Sequence, residues 1–376
     1  MKRFAITLAL LAIGSGDACA QSSVTLYGLI SAGGVYSDNQ KGADKQGHST
    51  TWQFASGPMQ TPRWGIKGAE DLGGGLKAIF TLENGFNVGT GTLSQGGREF
   101  GRQAFVGLSS STLGTVTLGR QYDEAVTLCA FESACQFAAV GAQIGDNDNV
   151  FDTFRINNAV QYKSVEYGGL QFEGLYGFSN KVGGFSDNNA YSAAVQYKNG
   201  PVSAGAMYLR VNMPNDPNNA NGAVVGDYGF TSPFITNPAT SAGVRAQQSF
   251  GAGGAYALGQ ANLSLLYTNA RFDYLDASRL TLQNYEISLT DYVRPSLMVG
   301  VAYIFTTGRY HPQNNSPKWH QLNAGADYFL SKRTDLFLVG MYQRAAGDAQ
   351  YAQIYTLSPS STKSQVAVAI GMRHKW

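Results

Sequence analysis

Gln365-Val366-Ala367-Val368-Ala369-Ile370-Gly371-Met372-Arg373-His374-Lys375-Trp376 closes the chain. In an extended strand successive side chains point to opposite faces. Val366, Val368, Ile370, Met372, His374 and Trp376 therefore share one face, while Gln365, Ala367, Ala369, Gly371, Arg373 and Lys375 share the other. One face is mostly apolar and ends on an aromatic ring; the other is small and polar. A segment of this kind divides an apolar phase from a wet one.

The same pattern recurs upstream. Around 190–198 the apolar set is Tyr191, Ala193, Val195 and Tyr197, against Ser192, Ala194, Gln196 and Lys198. Around 284–290, Tyr285, Ile287 and Leu289 oppose Asn284, Glu286, Ser288 and Thr290. Around 319–330, Leu322, Ala324, Ala326, Tyr328 and Leu330 oppose Gln321, Asn323, Gly325 and Asp327. An ionisable residue such as Glu286 or Asp327 is tolerable on an inner face only where that face is wet or paired. The run from Asp335 to Tyr342 is apolar on both faces, so periodicity does not orient it.

From Val24 onward, segments of about ten residues are separated alternately by short turns and long polar stretches. The turns are Leu72-Gly73-Gly74-Gly75, Ser111-Thr112-Leu113-Gly114, Glu166-Tyr167-Gly168-Gly169, Asn199-Gly200-Pro201, Gly259-Gln260, Arg294-Pro295-Ser296 and Ser331-Lys332-Arg333. The long connections are 37–62, 85–101, 122–155, 179–189, 211–244, 273–280, 308–317 and 345–364. Seven turns and eight loops separate sixteen strands. An even strand number with short connections on one side and long ones on the other predicts an all-β, 16-stranded antiparallel transmembrane β-barrel of an outer membrane, its short turns periplasmic.

Composition agrees. Glycine (46 residues), tyrosine (21) and phenylalanine (20) are abundant and proline (11) is scarce, which suits strands and turns rather than helices. Mean hydropathy lies just below zero, as it does for a barrel whose lipid-facing and lumen-facing residues cancel. Beyond the N-terminus no long apolar stretch could form a membrane helix.

Lys2 and Arg3, the apolar run from Phe4 to Ile13 and the closing Ala18-Cys19-Ala20 have the three parts of a secretory signal. Residues 1–20 are expected to be cleaved, leaving Gln21 first and residues 21–376 as one barrel domain. A lipoprotein signal acylated at Cys19 is the alternative, and it fits poorly with Gly16 and Asp17. Without Lys2, Arg3 and Asp17 the totals of 27 basic and 25 acidic residues fall to 25 and 24, a formal charge of +1. A nucleic-acid partner would require a strong basic excess, so none is expected.

The chain resembles the general porins of the Gram-negative outer membrane, in particular the beta-proteobacterial group. The resemblance rests on Ser23-Val24-Thr25-Leu26-Tyr27-Gly28, on the stretch from Trp64 to Ala78 (WGIKGAEDLGGGLKA), on Arg102-Gln103-Ala104-Phe105-Val106-Gly107-Leu108, on Leu118-Gly119-Arg120-Gln121-Tyr122, and on Gly371-Met372-Arg373-His374-Lys375-Trp376. These matches span the whole mature chain. The resemblance implies a homotrimer whose third long loop folds into the lumen as an eyelet. It also implies a water-filled channel for passive diffusion of small hydrophilic solutes and ions, mildly anion-preferring like some members. In the family the final aromatic is usually Phe, so Trp376 departs from the pattern. It and the apolar face of 366–376 are expected to be the signal read by the barrel assembly machinery. Outer-membrane lipid and lipopolysaccharide are the expected surroundings.

The third long connection, 122–155, is the candidate eyelet. It carries Asp123, Glu124, Glu132, Asp146, Asp148 and Asp152. By resemblance these carboxylates face a basic wall, and the transverse field between them orients polar solutes. Fixed charges in a confined aqueous channel set ion selectivity. The wall candidates are Arg63 and Lys67, which share parity opposite Trp64 and Ile66, with Arg102 and Arg120. Arg120 shares parity with Val116 and Leu118, so it requires a bulge, a strand end or a subunit interface. Cys129 and Cys135 lie in the same loop, and an oxidising setting favours a disulfide between them.

Other chemistry is not indicated. Asp146-Asn147-Asp148-Asn149-Val150-Phe151-Asp152 resembles a calcium loop, but Val150 falls on a ligand position, Phe151 replaces the glycine and Asn157 replaces the bidentate glutamate. His48, His311, His320 and His374 lie far apart, without metal-ligand spacing. No Gly-x-Ser-x-Gly elbow or phosphate-binding loop occurs. A channel without catalysis or cofactor is expected. A substrate-selective channel, or a barrel with an adhesin role in loops such as 211–244, is the alternative.

Overall fold

The computed structural model describes residues 23–41, 49–230 and 232–376; the expected signal segment and His48 lie outside them. Seventeen strand segments follow one another among the described residues. They are β1 (Ser23–Gln40), β2 (Ser49–Ser56), β3 (Arg63–Gly73), β4 (Leu76–Gly85), β5 (Gln103–Ser110), β6 (Gly114–Gln121), β7 (Ile156–Lys163), β8 (Leu170–Gly177) and β9 (Ala190–Asn199). They continue as β10 (Val202–Asn212), β11 (Val244–Leu258), β12 (Ala261–Tyr274), β13 (Arg279–Arg294), β14 (Leu297–His311), β15 (Pro317–Phe329), β16 (Thr334–Gly347) and β17 (Ser364–Lys375).

Each strand pairs antiparallel with its neighbours, and β1 closes the ring. Leu29 to Ser37 pair with Lys375 to Ala367 of β17 on one side. On the other, β1 pairs with both β2 and β3, through Ala32↔Ser56 and Leu29↔Arg63. β2 and β3 are thus two halves of one stave, interrupted at 57–62 by Gly57, Pro58 and Pro62. Proline has no N–H to donate to a ladder. Counted as staves, the barrel has the sixteen strands that the turn and loop rhythm predicts. Closure of β1 on β17 and β3 joins the staves into a ring, as a membrane requires because lipid cannot hydrogen-bond an exposed backbone, while the half-stave β2 pairs with β1 alone. The connection expected at 37–62 is shorter than anticipated, since β1 runs on to Gln40 and β2 occupies Ser49–Ser56.

The alternation falls as expected. Tyr285, Ile287 and Leu289 are exposed outward, while Asn284, Glu286 and Ser288 are buried inward. The ambiguous run at 335–342 also resolves: Leu336, Leu338 and Tyr342 face out, and Phe337, Val339 and Met341 are buried inside. Their inner face is apolar because it is dry. They form one cluster with Phe137 of the third loop and with Ile354 and Leu357 of the last loop.

The third loop, residues 122–155, folds inward across the barrel. It contains a 3-10 helix, Glu124–Phe131, and the single helical turn α1, Ser133–Gln136. Asp123 caps the first of these, accepting from Ala125 N at 2.8 Å. The loop leaves from β6 and returns to β7 but bonds to the far wall. Ser133 N donates to Glu286 Oε1 of β13 at 2.7 Å. Gln247 of β11 donates to Asn147 O at 3.0 Å. Gln321 and Asn323 of β15 both donate to Gly141 O, at 2.7 and 2.8 Å. Phe137 lies on Gly300 and Gly325, where an added Cβ would come within 2.5 and 2.9 Å of its ring. The wall is bare of side chains where the loop's largest ring sits.

Candidate functional site

The near wall, built from β1 and β3 to β7, holds a cluster of basic and phenolic groups. Arg63 and Lys67 project inward from β3, on either side of Gly65. Gly65 matters because Tyr27 of β1 crosses it: a Cβ there would lie 2.8 Å from the Tyr27 hydroxyl. Over this gap Tyr27 donates to Glu83 Oε2 at 2.9 Å. Lys67 Nζ lies 5.3 Å from the Tyr27 ring centroid, within cation–π range.

Glu83 is the acid around which this wall is organised. Arg102, which immediately precedes β5, donates from Nε to Glu83 Oε1 at 2.7 Å. Tyr122, just past β6, donates to the same oxygen at 3.0 Å and accepts from Arg102 Nη2. Arg155, which leads into β7, stacks on the Tyr122 ring with Cζ 5.0 Å from its centroid, while Arg102 Cζ is at 5.6 Å. Arg155 also pairs with Asp152 at 3.1 Å. Arg63 is half-buried and donates to Thr61 O at 3.1 Å. Arg102 and Arg155 are the cations acting on it electrostatically. The structure thus brings together Arg63, Lys67 and Arg102 and adds Arg155, Glu83, Tyr27 and Tyr122, which the sequence reading omitted. Arg155 carried a signal, being the one basic residue in 122–155. Glu83 carried another, as an acid whose strand partner, Gly65, lies between Arg63 and Lys67.

Arg120 goes elsewhere. The β6–β7 register shifts between Gly119 and Gln121, so of the three options a bulge accommodates it. Its guanidinium is buried against Asp227 of the fifth loop and Asn157, and donates to Gly101 O at 2.8 Å. It ties a long loop to the wall, and Asp227 Oδ2, which also accepts from Arg155 N at 3.4 Å, joins it to the edge of the cluster around Tyr122.

The six loop acids are all buried, and Asp152 alone is ion-paired, with Arg155. The sequence reading sets all six opposite the basic wall. Asp123, Asp146 and Asp148 instead accept donors from the loop's own turns or its seat on the far side, Glu132 lies toward the far wall, and Glu124 is bound from β7 of the near wall. Asp146 accepts from Phe151 N at 3.0 Å and from Thr153 N at 2.9 Å. Asp148 accepts from Thr268 of β12 and Asn284 of β13. Glu132 lies beside Glu286. Asp123 accepts from Asn149 Nδ2 at 2.6 Å, and Glu124 from Gln161 Nε2 at 3.1 Å.

Burial raises these carboxyls above their ordinary range. Asp123 is pushed up to about 6. Asp146 is pushed up to about 7, first by burial and then by the neighbouring Asp148. Glu124, Glu132, Asp148 and Asp152 move in the same direction, again chiefly through loss of water. Removing a carboxylate from water disfavours its charged form. The loop is therefore less negative than its composition suggests.

Cys129 and Cys135 are joined by a disulfide, with Cα atoms 5.6 Å apart, which staples the loop between its two helical turns. Among the described residues no group of His, Cys, Asp and Glu is arranged to hold a metal ion.

The chain matches the Gram-negative porin family over residues 7–348. It is 31% identical to an outer membrane porin protein of Bordetella pertussis, over the full length of both. Among solved structures it is similar to an anion-selective porin from Comamonas acidovorans, with TM-score 0.75 and 24% identity over 94% of this chain and all of the other. It is also similar to the trimer form of OmpT from Vibrio cholerae, with TM-score 0.67 and 14% identity over 94% of this chain and 99% of the other. A closed barrel with an inserted third loop, matched along nearly its whole length, makes this chain a member of the Gram-negative porins, a multi-pass channel of the outer membrane.

Proposed function

We propose that the channel passes small hydrophilic solutes and ions by passive diffusion, prefers anions, and narrows between the third loop and the cluster of Arg63, Lys67, Arg102 and Arg155. The observation that carries this reading is the unequal treatment of charge. Four cations gather around Tyr27 and Tyr122, offset in part by Glu83, by Asp152 and, beside Arg155, by Asp227. Of the other loop acids, Glu132, Asp146 and Asp148 are buried in the loop's own turns or toward the far wall, with their carboxyls shifted toward the neutral form. Two unit charges about 4 Å apart interact by ~1 kcal/mol in bulk water and by several times more at lower effective dielectric. A narrow lumen lies between these limits.

The protein works as a homotrimer, an assembly supported by the described trimer form of OmpT. Trp376 and the apolar face of 366–376 are read by the barrel assembly machinery, and lipopolysaccharide surrounds the external rim. Conduction requires no catalytic group.

Arg63 is the best probe, because its guanidinium bonds a backbone carbonyl and not a buried acid. In a planar bilayer under a dilute salt gradient, Arg63→Glu shifts the reversal potential toward cations, whereas Lys375→Glu at the periplasmic end of the barrel shifts it little. Dilute salt is needed because the screening length is ~10 Å at 0.1 M and ~3 Å at 1 M. Equal shifts for the two variants would make Arg63 an ordinary wall charge.

A further inference from the structure

Arg120 stands behind the basic cluster, and its bonds lead to main chain on both sides of it. The residue is buried near the end of β6. Its Nε donates to Gly101 O at 2.8 Å, the carbonyl of the peptide that joins Arg102. Its Nη2 donates to Asp227 Oδ2, an oxygen that also accepts from Arg155 N at 3.4 Å. Arg102 and Arg155 are the two guanidiniums that share the Tyr122 ring. One buried ion pair therefore touches the backbone beside each of them.

A strand ladder ordinarily sets such positions, and here it is interrupted. Gly119 pairs with Ala159 but Gln121 with Ile156, so β7 carries an extra residue opposite Arg120, and Asn158 takes a left-handed φ of 53° there. Arg102 keeps one backbone bond to a neighbouring strand, from its N to Glu83 O at 3.1 Å. Arg155 N has Asp227 as its acceptor. Asp227 comes from the fifth loop, 213–243, and its own stretch of that loop is held from several sides. Arg98 of the second long connection donates to Val225 O at 2.8 Å, and Asn157 N donates to Ala223 O at 2.7 Å. Val224 N donates to Asn188 Oδ1 at 2.8 Å, and the Tyr228 ring lies 5.2 Å from that of Phe154. The loop is seated so that its carboxylate reaches the arginine. Either charge left buried without the other would be costly, so each holds its partner in place.

We propose that Asp227 and Arg120 are positioning residues of the channel: their ion pair fixes the backbone at 101 and 155 so that Arg102 and Arg155 both meet Tyr122, and through it the fifth loop sets the anion preference. This rests on the reading that the basic cluster selects anions, and it gives Asp227 an effect opposite in sign to that of its charge. A carboxylate that acted only through its field would weaken the preference for anions, and its removal would strengthen it. A carboxylate that positions Arg155 strengthens the preference, and its removal weakens it. Arg120 and Asp227 carry opposite charges, yet loss of either breaks the same bracket and moves selectivity the same way.

The test is the reversal potential of the full-length refolded protein in a planar bilayer under a dilute salt gradient. Asp227→Asn and Arg120→Gln are each expected to lower the anion-to-cation permeability ratio at least about twofold, the lower end of the coupling within one ion-paired network. The double variant is expected to match the single ones, and a double variant in which the two effects simply add overturns the bracket. A ratio that rises in Asp227→Asn, or single variants that shift in opposite directions, shows that the pair acts through charge alone and overturns the positioning role. Unchanged ratios in folded variants overturn it as well. Heat-dependent gel migration verifies folding. Should the buried variants not fold, Arg98→Lys decides the matter: it keeps the charge but gives up the fork that spans Gln95 O and Val225 O. It should lower the ratio, and no change there overturns the proposal. Arg63→Glu measured alongside separates the two readings. No shift in that variant rejects the basic cluster as the selective element, whereas a shift there with an unmoved Asp227→Asn rejects the bracket alone.

Discussion

Glu83 receives three donors, from Arg102, Tyr27 and Tyr122, and so fixes the positions of the groups that define the basic wall. Its charge works against their effect on anions. Glu83→Gln keeps the volume and one acceptor oxygen, and Tyr122 still accepts from Arg102. We expect the reversal potential of this variant in a dilute gradient to move further toward anions, with the permeability ratio rising roughly two- to fivefold if the lost interaction is of order 1 kcal/mol. A shift toward cations, or none, would mean that permeating ions do not sense this wall. The residues of this site were only partly legible in the sequence. Parity placed Arg63 and Lys67 inside, because a strand alternates strictly. Arg155 and Glu83 left only faint traces there, because their roles depend on contacts with Tyr122, Arg102 and Tyr27, and a ring shared by two guanidiniums has no sequence pattern of its own.

At the scale of the element, the third loop is docked by acids whose carboxyls burial shifts toward the neutral form. An undocked carboxyl in water titrates near 4, while burial and Asp148 raise Asp146 to about 7, and Glu132 and Asp148 also move up. A raised carboxyl in the docked state gives a contribution fully present below about 4 and lost as the pH rises through about 7. The loop should therefore loosen toward alkaline pH. Amide exchange in residues 132–148, corrected for the intrinsic pH dependence, should be at least about tenfold less protected at pH 8 than at pH 5, one pKa unit being a factor of ten; protection in β12 to β15 should not follow. Protection independent of pH would contradict the scheme. The disulfide limits the motion, as its seven-residue ring restrains the unlinked chain by about 2 kcal/mol on the loop-entropy estimate. The number of acids in the loop was plain from the sequence, but which side of the loop they occupy was not. Composition does not distinguish a carboxylate at a water-filled edge from one beneath a hydrogen-bonding amide. The run at 335–342 could not be oriented for a related reason: Phe337, Val339 and Met341 face a lumen that is locally filled by Phe137, Ile354 and Leu357.

For the whole molecule, the seam is where β1 meets β17. Trp376 N donates to Gly28 O at 3.1 Å, Gly28 N donates to Trp376 O at 3.4 Å, and the indole covers Gly28 so closely that a Cβ there would lie 2.4 Å from it. Loss of Trp376, or Gly28→Val, should reduce the heat-modifiable folded band in outer-membrane fractions several-fold, while Trp376→Phe should retain most of it. Undiminished yield from the truncated gene would show that the last residue has no part in assembly. The sixteen-strand ring itself was legible throughout, because lipid outside and water inside impose opposite demands on alternate residues. Only β2 and the break at 57–62 escaped, since this half-stave lies inside the connection expected at 37–62, whereas β3 was legible from the parity of Arg63 and Lys67.

A ring of sixteen strands without a packed centre resists squeezing poorly, and a bilayer presses on it from the side. The third loop, rooted in β6 and β7 and fastened to β12, β13 and β15 through Asp148, Ser133 and Gly141, spans that ring like a strut across a hoop. A strut along one diameter stops the hoop from flattening in that direction, so the cross-section left open beside it stays constant. The same segment that crosses the lumen thereby also keeps the barrel's shape under load.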